Sequence, residues 1–321
     1  MTPPIVALER VTKRFAGHVA VDGLSLAVSG GVIFGLLGPN GAGKTTSLRM
    51  IMNVFAPDEG VVRLFGGTGM GRALSARIGY LPEERGLYPK MRVLDVLVFL
   101  AEAKGVGRRP ARAKALEWLD RLELGDWRLR RVSDLSKGMQ QKVQFISTVL
   151  HDPDLLVLDE PFGGLDPVNA QLLRETVLEL KRRGKTIVFS THIMEHAEKL
   201  CDQICIIARG RKLVDGTLGD VKRARGGRHV TVAFDGRQDA APTVFGDRRL
   251  VTGVQDFGQY AELELAGGAD PQEVLAALVS SGARLSRFEV AAPSLHKIFV
   301  DLVGPEAVHP EMRPGTEARR A

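Results

Sequence analysis

The sequence predicts an α/β fold: a mixed sheet that has an antiparallel portion and a helical insertion, followed by a small α+β domain. Three observations indicate this fold. Short runs rich in Val, Ile and Leu alternate with helical patterns, a glycine-rich segment separates one such run from a helix, and a basic stretch interrupts the pattern near residue 222. The composition, 44% hydrophobic and 26% charged over 321 residues, excludes a fibrous or wholly disordered chain.

The first predicted strands have no helices between them, which indicates the antiparallel portion of the sheet. They span residues 5–12, 19–28 and 61–65. Aliphatic runs that precede a glycine-rich loop, an acidic pair or a helix predict parallel strands, at 32–37, 155–158 and 186–190. Apolar residues at helical spacing predict helices at 94–104 and 111–122, which belong to the insertion.

These patterns divide the chain into a first domain over 1–220, with a helical subdomain at about 90–150, and an accessory domain over 229–303. A linker is predicted at 221–228 and a disordered tail at 304–321, which is rich in Pro, Glu and Arg. The accessory domain is expected to contain four short strands and two helices. The strands are predicted at 229–234, 250–254, 260–265 and 284–290, and the helices at 271–281 and 295–303.

The net charge of +6 first suggests nucleic acid or an anionic membrane surface as a partner. Residues 1–220 contain 31 Lys and Arg against 25 Asp and Glu, so the whole excess lies there. The basic runs lack the interleaved aromatic residues of nucleic-acid platforms, and we expect no nucleic-acid partner. Two cysteines, no apolar leader and no apolar run near ~20 residues predict a cytoplasmic chain that does not itself cross a membrane.

A glycine-rich segment, GPNGAGKTT, follows the strand predicted at 32–37 and precedes a helix. Its glycines let backbone N–H groups surround phosphate oxygens at the positive end of the helix. Lys44 supplies a charge for the β- and γ-phosphates, and the Thr45 hydroxyl suits Mg²⁺. A structural glycine turn is the alternative. The candidate nucleotide contacts are Gly38, Pro39, Asn40, Gly41, Ala42, Gly43, Lys44, Thr45 and Thr46.

Two acidic residues, Asp159 and Glu160, end the strand predicted at 155–158. Parallel strands deliver such residues to the carboxyl edge of a sheet, where open α/β folds bind ligands. Asp159 is a candidate Mg²⁺ ligand, and Glu160 is a candidate base that polarises the attacking water. Read alone, the pattern also describes a strand that runs into a solvated turn.

Five motifs in one order, GPNGAGKTT, LSKGM, LLVLDE, GLD and STH, make residues 5–220 resemble the ATP-binding subunits of ABC transporters. The resemblance implies the ABC cassette version of the P-loop NTPase fold, with ATP and Mg²⁺ as cofactors. It also implies a head-to-tail dimer of ATPase subunits, either homodimer or heterodimer, and a membrane permease as partner. The chain would then be peripheral on the inner face of the cell membrane.

The resemblance further implies roles for residues outside the P-loop. Ser136 and Gly138 would contact the γ-phosphate bound by the partner subunit, and Asp166 would touch that partner site. His192 would contact the γ-phosphate and join Glu160 and Lys44 as a catalytic residue, and Phe15 would stack on adenine. The alternatives are a serine-capped helix at Ser136, a core position for Phe15, and a zinc site. The zinc site would use His192, His196, Cys201 and Cys205.

The chain departs from the family pattern at two motifs. Glu83 stands where the family often has a glutamine that senses Mg²⁺, and it is a candidate metal ligand; Lys137 and Met139 alter the LSGGQ signature. With these features the chain most resembles type-two exporters of the sodium-extrusion and drug-resistance kind, and 293–299 resembles the end of their accessory domain. The permease is expected to dock near 83–91. A soluble ABC ATPase of translation or DNA repair, or another P-loop enzyme, is the alternative.

Overall fold

The computed structural model describes residues 3–68, 71–84, 86–225, 229–235, 241–291 and 293–304. These form two compact units, one that ends at Thr217 and one that begins at Leu218. The predicted α/β class, with a mixed sheet, an antiparallel portion and a helical insertion, is confirmed. Most of the predicted tail, from residue 305, lies outside the described residues.

The first unit contains ten strands and seven α-helices within the described residues. The strands are β1 (Val6–Phe15), β2 (His18–Val28), β3 (Ile33–Leu37), β4 (Glu59–Leu64), β5 (Gly67–Thr68), β6 (Ile78–Leu81), β7 (Leu155–Asp159), β8 (Thr186–Thr191), β9 (Gln203–Ala208) and β10 (Arg211–Thr217). The helices are α1 (Lys44–Ile51), α2 (Arg72–Ser75), α3 (Val93–Ala103), α4 (Arg108–Arg121), α5 (Lys137–Val149), α6 (Pro167–Arg182) and α7 (Met194–Leu200).

Two sheets make up the framework of this unit. The antiparallel sheet has the order β2-β1-β4-β5, and the mixed sheet has the order β10-β9-β3-β8-β7-β6, in which only β10 is antiparallel to its neighbour. Strands β3 and β7 are buried along their whole length, as expected for parallel strands that are covered on both faces. The carboxyl ends of β3, β8, β7 and β6 therefore lie side by side at one edge.

The helical insertion consists of α3, α4 and α5, which contact one another. Trp118 of α4 packs edge-on against Phe145 of α5, with 6.5 Å between ring centroids. Two 3₁₀ turns, Gly125–Trp127 and Val132–Asp134, connect α4 to α5. Ser136 caps the N-terminus of α5 by accepting a hydrogen bond from the N–H of Met139 at 3.2 Å.

The second unit is an antiparallel sheet in the order β12-β13-β11-β14 with helices packed against it. Its elements are α8 (Leu218–Arg225), β11 (His229–Phe234), α9 (Ala241–Phe245), β12 (Val251–Asp256), β13 (Tyr260–Leu265), α10 (Pro271–Ser280), β14 (Leu285–Ala291) and α11 (Leu295–Val303). Helix α8 occupies the start of the predicted linker. Val221 is buried there and Arg223 pairs with Asp220 one turn away, which favours a helix over an open chain.

Among the described residues, no helix has both the length and the apolar character that a membrane span requires.

Candidate active site

The predicted site residues are delivered by four neighbouring strands. The glycine-rich loop follows β3 and His192 follows β8. Asp159 ends β7, Glu160 comes directly after it, and Glu83 follows β6. Because these strands are parallel, all four segments leave the sheet at the same edge. The strand order thus assembles residues as far apart in sequence as Gly38 and His192 into one region.

Two glycines of the loop lie against backbone atoms of neighbouring segments. A Cβ at Gly38 would lie 2.3 Å from the carbonyl oxygen of Ile207, and one at Gly43 would lie 2.4 Å from that of Ala20. Gly43 also has a φ of 101°, which side-chain-bearing residues rarely adopt. Gly43 precedes α1 and offers no side chain to cap it, so the first-turn N–H groups of α1 suit an anion.

Lys44 lies folded over the loop with its ammonium group largely buried. Its Nζ donates hydrogen bonds to the carbonyl oxygens of Gly38 at 2.9 Å and Pro39 at 3.1 Å. The same atom is 3.9 Å from Oε1 of Glu160. Burial lowers the pKa of Lys44, while the nearby carboxylates of Glu160 and Asp159 oppose that shift. Lys44 is therefore a cation held within reach of the acidic pair.

Asp159 is fully buried at the end of β7. Its Oδ1 accepts a hydrogen bond from the Ser190 hydroxyl, and its Oδ2 is buried without a hydrogen-bond partner among the described residues. Burial raises the pKa of Asp159, and the Ser190 hydrogen bond and the nearby Thr45 hydroxyl oppose that shift. A free buried carboxylate oxygen beside a threonine hydroxyl is an oxygen donor set of the kind Mg²⁺ accepts, so the residues fit this ion.

Glu160 follows in a strained backbone conformation, with a φ of 46°. Its N–H donates to both the hydroxyl and the carbonyl oxygen of Ser190, at 3.1 and 3.2 Å. The Thr191 hydroxyl donates to Oε2 at 3.1 Å, and the N–H of His192 donates to Oε1, also at 3.1 Å. Nδ1 of His192 is 2.8 Å from Oε1. The carboxylate is thus oriented toward Lys44 and His192, where it can accept a proton from water.

Phe15 lies at the end of β1 with 44% of its surface exposed. Its ring packs edge-on against Phe55 at 5.4 Å, and Nζ of Lys13 lies 5.6 Å from the Phe15 centroid. An exposed ring that is held by a second aromatic is suited to stacking on a flat base. This arrangement differs from the core position that was the alternative for Phe15.

The residues predicted to act on a partner subunit lie at helix starts. Ser136 caps the N-terminus of α5, and a Cβ at Gly138 would lie 3.5 Å from Leu165. Asp166 caps the N-terminus of α6: its Oδ1 accepts from the N–H of Asn169 at 2.9 Å, and this bond lowers the pKa of Asp166. The signature and GLD segments are therefore neighbours within one chain.

The remaining predicted positions have simpler surroundings. Glu83 is exposed on the loop after β6, and its negative charge raises the pKa of Lys44. Cys201 and Cys205 are buried, and burial raises the pKa of both thiols, that of Cys205 to about 12. His196 packs edge-on against Phe162 at 4.9 Å. These three surroundings are those of packing residues, not of thiolate and imidazole ligands.

Two glutamines of α5 contact the catalytic loops and were not identified from the sequence. Nε2 of Gln141 donates to the carbonyl oxygen of Pro161 at 3.2 Å. Nε2 of Gln144 donates to the carbonyl oxygens of Pro82 at 3.2 Å and Glu84 at 3.1 Å. Both side chains are buried. The sequence does contain a signal for them, because two amide side chains lie three residues apart in a helix that buries most of its residues, where a buried amide needs a hydrogen-bond partner.

Two protein-family models match the chain. A model described as "ABC transporter" matches residues 21–163, and one described as "ATP-binding protein DrrA1-3-like, C-terminal domain" matches residues 216–303. The second match begins close to the start of the second unit, and together the two matches involve both units.

Several curated proteins and solved structures are similar to this chain. An uncharacterized ABC transporter ATP-binding protein, YhaQ of Bacillus subtilis (strain 168), is 44% identical over 94% of this chain and 99% of its own length. The Nod factor export ATP-binding protein I of Paraburkholderia xenovorans (strain LB400) is 40% identical over 67% of this chain and 72% of its own length. A solved ATP-binding subunit of an ABC transporter superposes with a TM-score of 0.64 at 29% identity, covering 68% of this chain and 92% of that one.

A dimeric ATP-binding cassette in a post-hydrolysis state, bound to ADP and Pi, superposes with a TM-score of 0.62 over 66% of this chain and 98% of that one. At 24% identity it supports the fold alone. The near full-length similarity to the Bacillus protein decides the family. The chain is a member of the ATP-binding subunits of ABC transporters, a family of ATPases.

Proposed function

We propose that this chain hydrolyses ATP with Mg²⁺ while paired head to tail with a second ATPase subunit, and that it powers export by a separate membrane permease. The observation that supports this most directly is the meeting of Lys44, Asp159, Glu160 and His192 at one sheet edge. The loop that begins at Gly38 adds backbone donors to that edge.

Each residue has a chemical role in this proposal. Lys44 and the first turn of α1 bind the β- and γ-phosphates, because they present a cation and uncapped N–H groups at the same place. Thr45 and Asp159 would hold Mg²⁺, which neutralises phosphate charge when it is bound. Phe15 would take the adenine ring on its exposed face.

Glu160 would act as the base that accepts a proton from the attacking water. The Thr191 hydroxyl and the His192 backbone N–H fix its carboxylate, which leaves the orientation of the acceptor defined before a water arrives. His192 is 49% exposed, so its ring can contact a γ-phosphate as well as Glu160. Glu83 stays a candidate metal ligand on the adjacent loop.

The partner subunit would complete the site. Ser136 and Gly138 stand at the N-terminus of α5, which favours an anion for the same reason as the start of α1. Because they begin a helix of the insertion, we propose that they serve the phosphate held by the other subunit. Asp166, which lies beside this segment in the fold, would touch the same partner site.

Export through a permease is proposed from the relatives and from one surface. The relatives include Nod factor export ATP-binding proteins, and a family model of a DrrA1-3-like C-terminal domain matches residues 216–303. Tyr88, in the loop at 83–91, and Phe99 of α3 are exposed and pack edge-on at 5.7 Å. A cavity of about 240 Å³ adjoins Phe99, and its wall combines apolar side chains such as Met91 with charged ones such as Glu102 and Arg108. It would accept a segment of a permease, on the inner face of the cell membrane, that carries both apolar and charged side chains.

The test is the Glu160→Gln variant, which keeps the shape of the side chain and removes its basicity. We expect it to bind ATP, to hydrolyse it about 10²–10⁴-fold more slowly, and to accumulate as an ATP-bound dimer in size-exclusion chromatography. Glu195→Gln, an exposed position on α7, is the matched control and should hydrolyse ATP at the unchanged rate. Hydrolysis by Glu160→Gln at the rate of this control would remove Glu160 from the role of base.

A further inference from the structure

Strand β8 places a serine directly opposite the buried aspartate of the candidate metal site. The parallel pairing of β7 and β8 aligns Asp159 with Ser190. Ser190 is itself fully buried, so water does not compete for its hydroxyl. The hydroxyl therefore acts only on the protein groups around it.

The hydrogen bonds of Ser190 have a fixed direction. An ionised carboxylate can only accept, so the hydroxyl hydrogen goes to Oδ1 of Asp159, and the hydroxyl oxygen is left to accept the N–H of Glu160 at 3.1 Å. One side chain thus links two consecutive acidic residues. The bond to Asp159 can reverse only if Asp159 becomes protonated, and the Glu160 N–H donates in either case.

The consequence for Asp159 is that its two oxygens have different environments. Oδ1 is held by Ser190, whereas Oδ2 is buried and has no hydrogen-bond partner in the part of the chain that the structure describes. The Thr45 hydroxyl lies beside the same carboxylate. A bond to one oxygen stops the carboxylate from rotating and keeps the other directed toward the site.

We propose that Ser190 is a positioning residue for Mg²⁺, because it holds Asp159 in the orientation that leaves Oδ2 available as a ligand. The inference rests on the proposed function, which assigns Mg²⁺ to Asp159 and Thr45. It gives a role to the serine of the STH motif, to which the resemblance assigned none.

The same geometry separates this role from that of Glu160. The Glu160 N–H has a second acceptor, the Ser190 carbonyl oxygen at 3.2 Å, which no side-chain substitution removes. The Glu160 carboxylate is held by Thr191 and His192. Loss of the Ser190 hydroxyl should therefore weaken metal binding while hydrolysis at saturating Mg²⁺ continues.

The experiment measures metal affinity directly. Mn²⁺ is titrated into the full chain with a saturating non-hydrolysable ATP analogue, and free Mn²⁺ is followed by electron paramagnetic resonance. Ser190→Ala should weaken Mn²⁺ binding about 10–100-fold, the usual effect of removing a group that orients a metal ligand. Ser190→Thr, which keeps the hydroxyl, should restore the affinity. Binding of the analogue in EDTA should be the same in all variants.

Thr186→Ala is the matched control. Thr186 lies at the other end of β8, is equally buried, and accepts the N–H of Gly31 at 2.9 Å. It should leave Mn²⁺ affinity unchanged although it also removes a buried hydroxyl. If Ser190→Ala fails to fold, Ser190→Cys replaces it, because a thiol fills the space but donates weakly, and the same loss is expected.

Two results would overturn the inference alone: Mn²⁺ affinity in Ser190→Ala equal to that of the unchanged chain, or an equal loss in Thr186→Ala. If the unchanged chain bound no Mn²⁺ in the presence of the analogue, the proposed function would be overturned together with the inference.

Discussion

Acidification should destabilise the first unit through one imidazole, that of His151, which follows α5. Its Nε2 is 3.1 Å from the carbonyl oxygen of Ile78, so the neutral ring donates from this nitrogen. Its Nδ1 is buried without a partner among the described residues, and a proton added there would find no acceptor. Burial lowers the pKa of His151 from 6.5 to about 4.

The charged groups around the ring do not reverse this effect. Lys104 donates to the same carbonyl oxygen at 3.3 Å, and its charge lowers the pKa of His151 further, as does that of Lys114. Asp152 raises the pKa, but less than burial lowers it. The native protein therefore resists protonation of His151 over a range of pH in which the unfolded chain accepts it.

The sign and size of the effect follow from linkage. The unfolded chain binds the proton below about pH 6.5, whereas the native ring binds it only near pH 4, so the free energy of unfolding falls as the pH drops through this window. The full shift corresponds to about 3.4 kcal/mol, of which about 2.5 kcal/mol is reached at about pH 4.5. Because the ring is partly accessible, screening reduces the expected loss to about 1–2 kcal/mol.

The assay compares the unchanged chain with His151→Gln, which can still donate to Ile78 but does not titrate. The sequence has two tryptophans, Trp118 and Trp127, and both lie in the helical insertion, so their fluorescence reports urea unfolding of the first unit. As the pH falls from about 7.5 to 4.5, the unchanged chain should lose about 1–2 kcal/mol more unfolding free energy than His151→Gln loses.

Subtracting the unfolding free energies of the two proteins at each pH cancels the contribution of the carboxylates, because these titrate in both proteins. His18→Gln, at an exposed position on β2, is the matched control and should follow the unchanged chain at each pH. A constant difference between His151→Gln and the unchanged chain across this range would refute the reasoning. So would a loss of stability that His18→Gln relieves equally.

Two further substitutions test the nucleotide site. Lys44→Ala should weaken ATP binding about 10–100-fold in calorimetry, because charge-assisted contacts to phosphate are lost, and an unchanged affinity would contradict the P-loop assignment. Ser136→Ala should slow hydrolysis by about tenfold or more while ATP binding by the monomer is unchanged. Loss of its cap on α5 should cost about 1 kcal/mol in unfolding experiments, and equal losses of binding and hydrolysis would argue against action on the partner's phosphate.

The sequence predicted the elements that have a strong local pattern. Strand β7 is four aliphatic residues and an aspartate, and the observed strand coincides with that run. Strand β10 has no clear period, because it mixes apolar, basic, acidic and glycine residues. Strand β9 carries the apolar run ICIIA, a signal of a buried strand that the sequence prediction does not use. Helix α8 was interpreted as linker because its basic residues conceal one buried contact, that of Val221.

The candidate site likewise has a part that the sequence predicts and a part that it does not. The P-loop and the acidic pair are contiguous in sequence, so their positions at the sheet edge follow from a strand and the residues after it. The bond from Ser190 to Asp159 joins residues 31 apart, and that from Gln144 to Pro82 joins residues 62 apart. Such contacts depend on strand order and on helix packing, which no local pattern specifies.

The amide of Gln144 binds main-chain oxygens on both sides of Glu83. Carbonyl groups are common to all residues, so the contact does not depend on which side chain occupies position 82, 83 or 84. Replacement of a glutamine by a glutamate at 83 leaves it intact. The main-chain path of this loop is therefore held by a side chain from a helix about 60 residues further along the sequence, and the side chains at 82–84 stay available for contacts of their own.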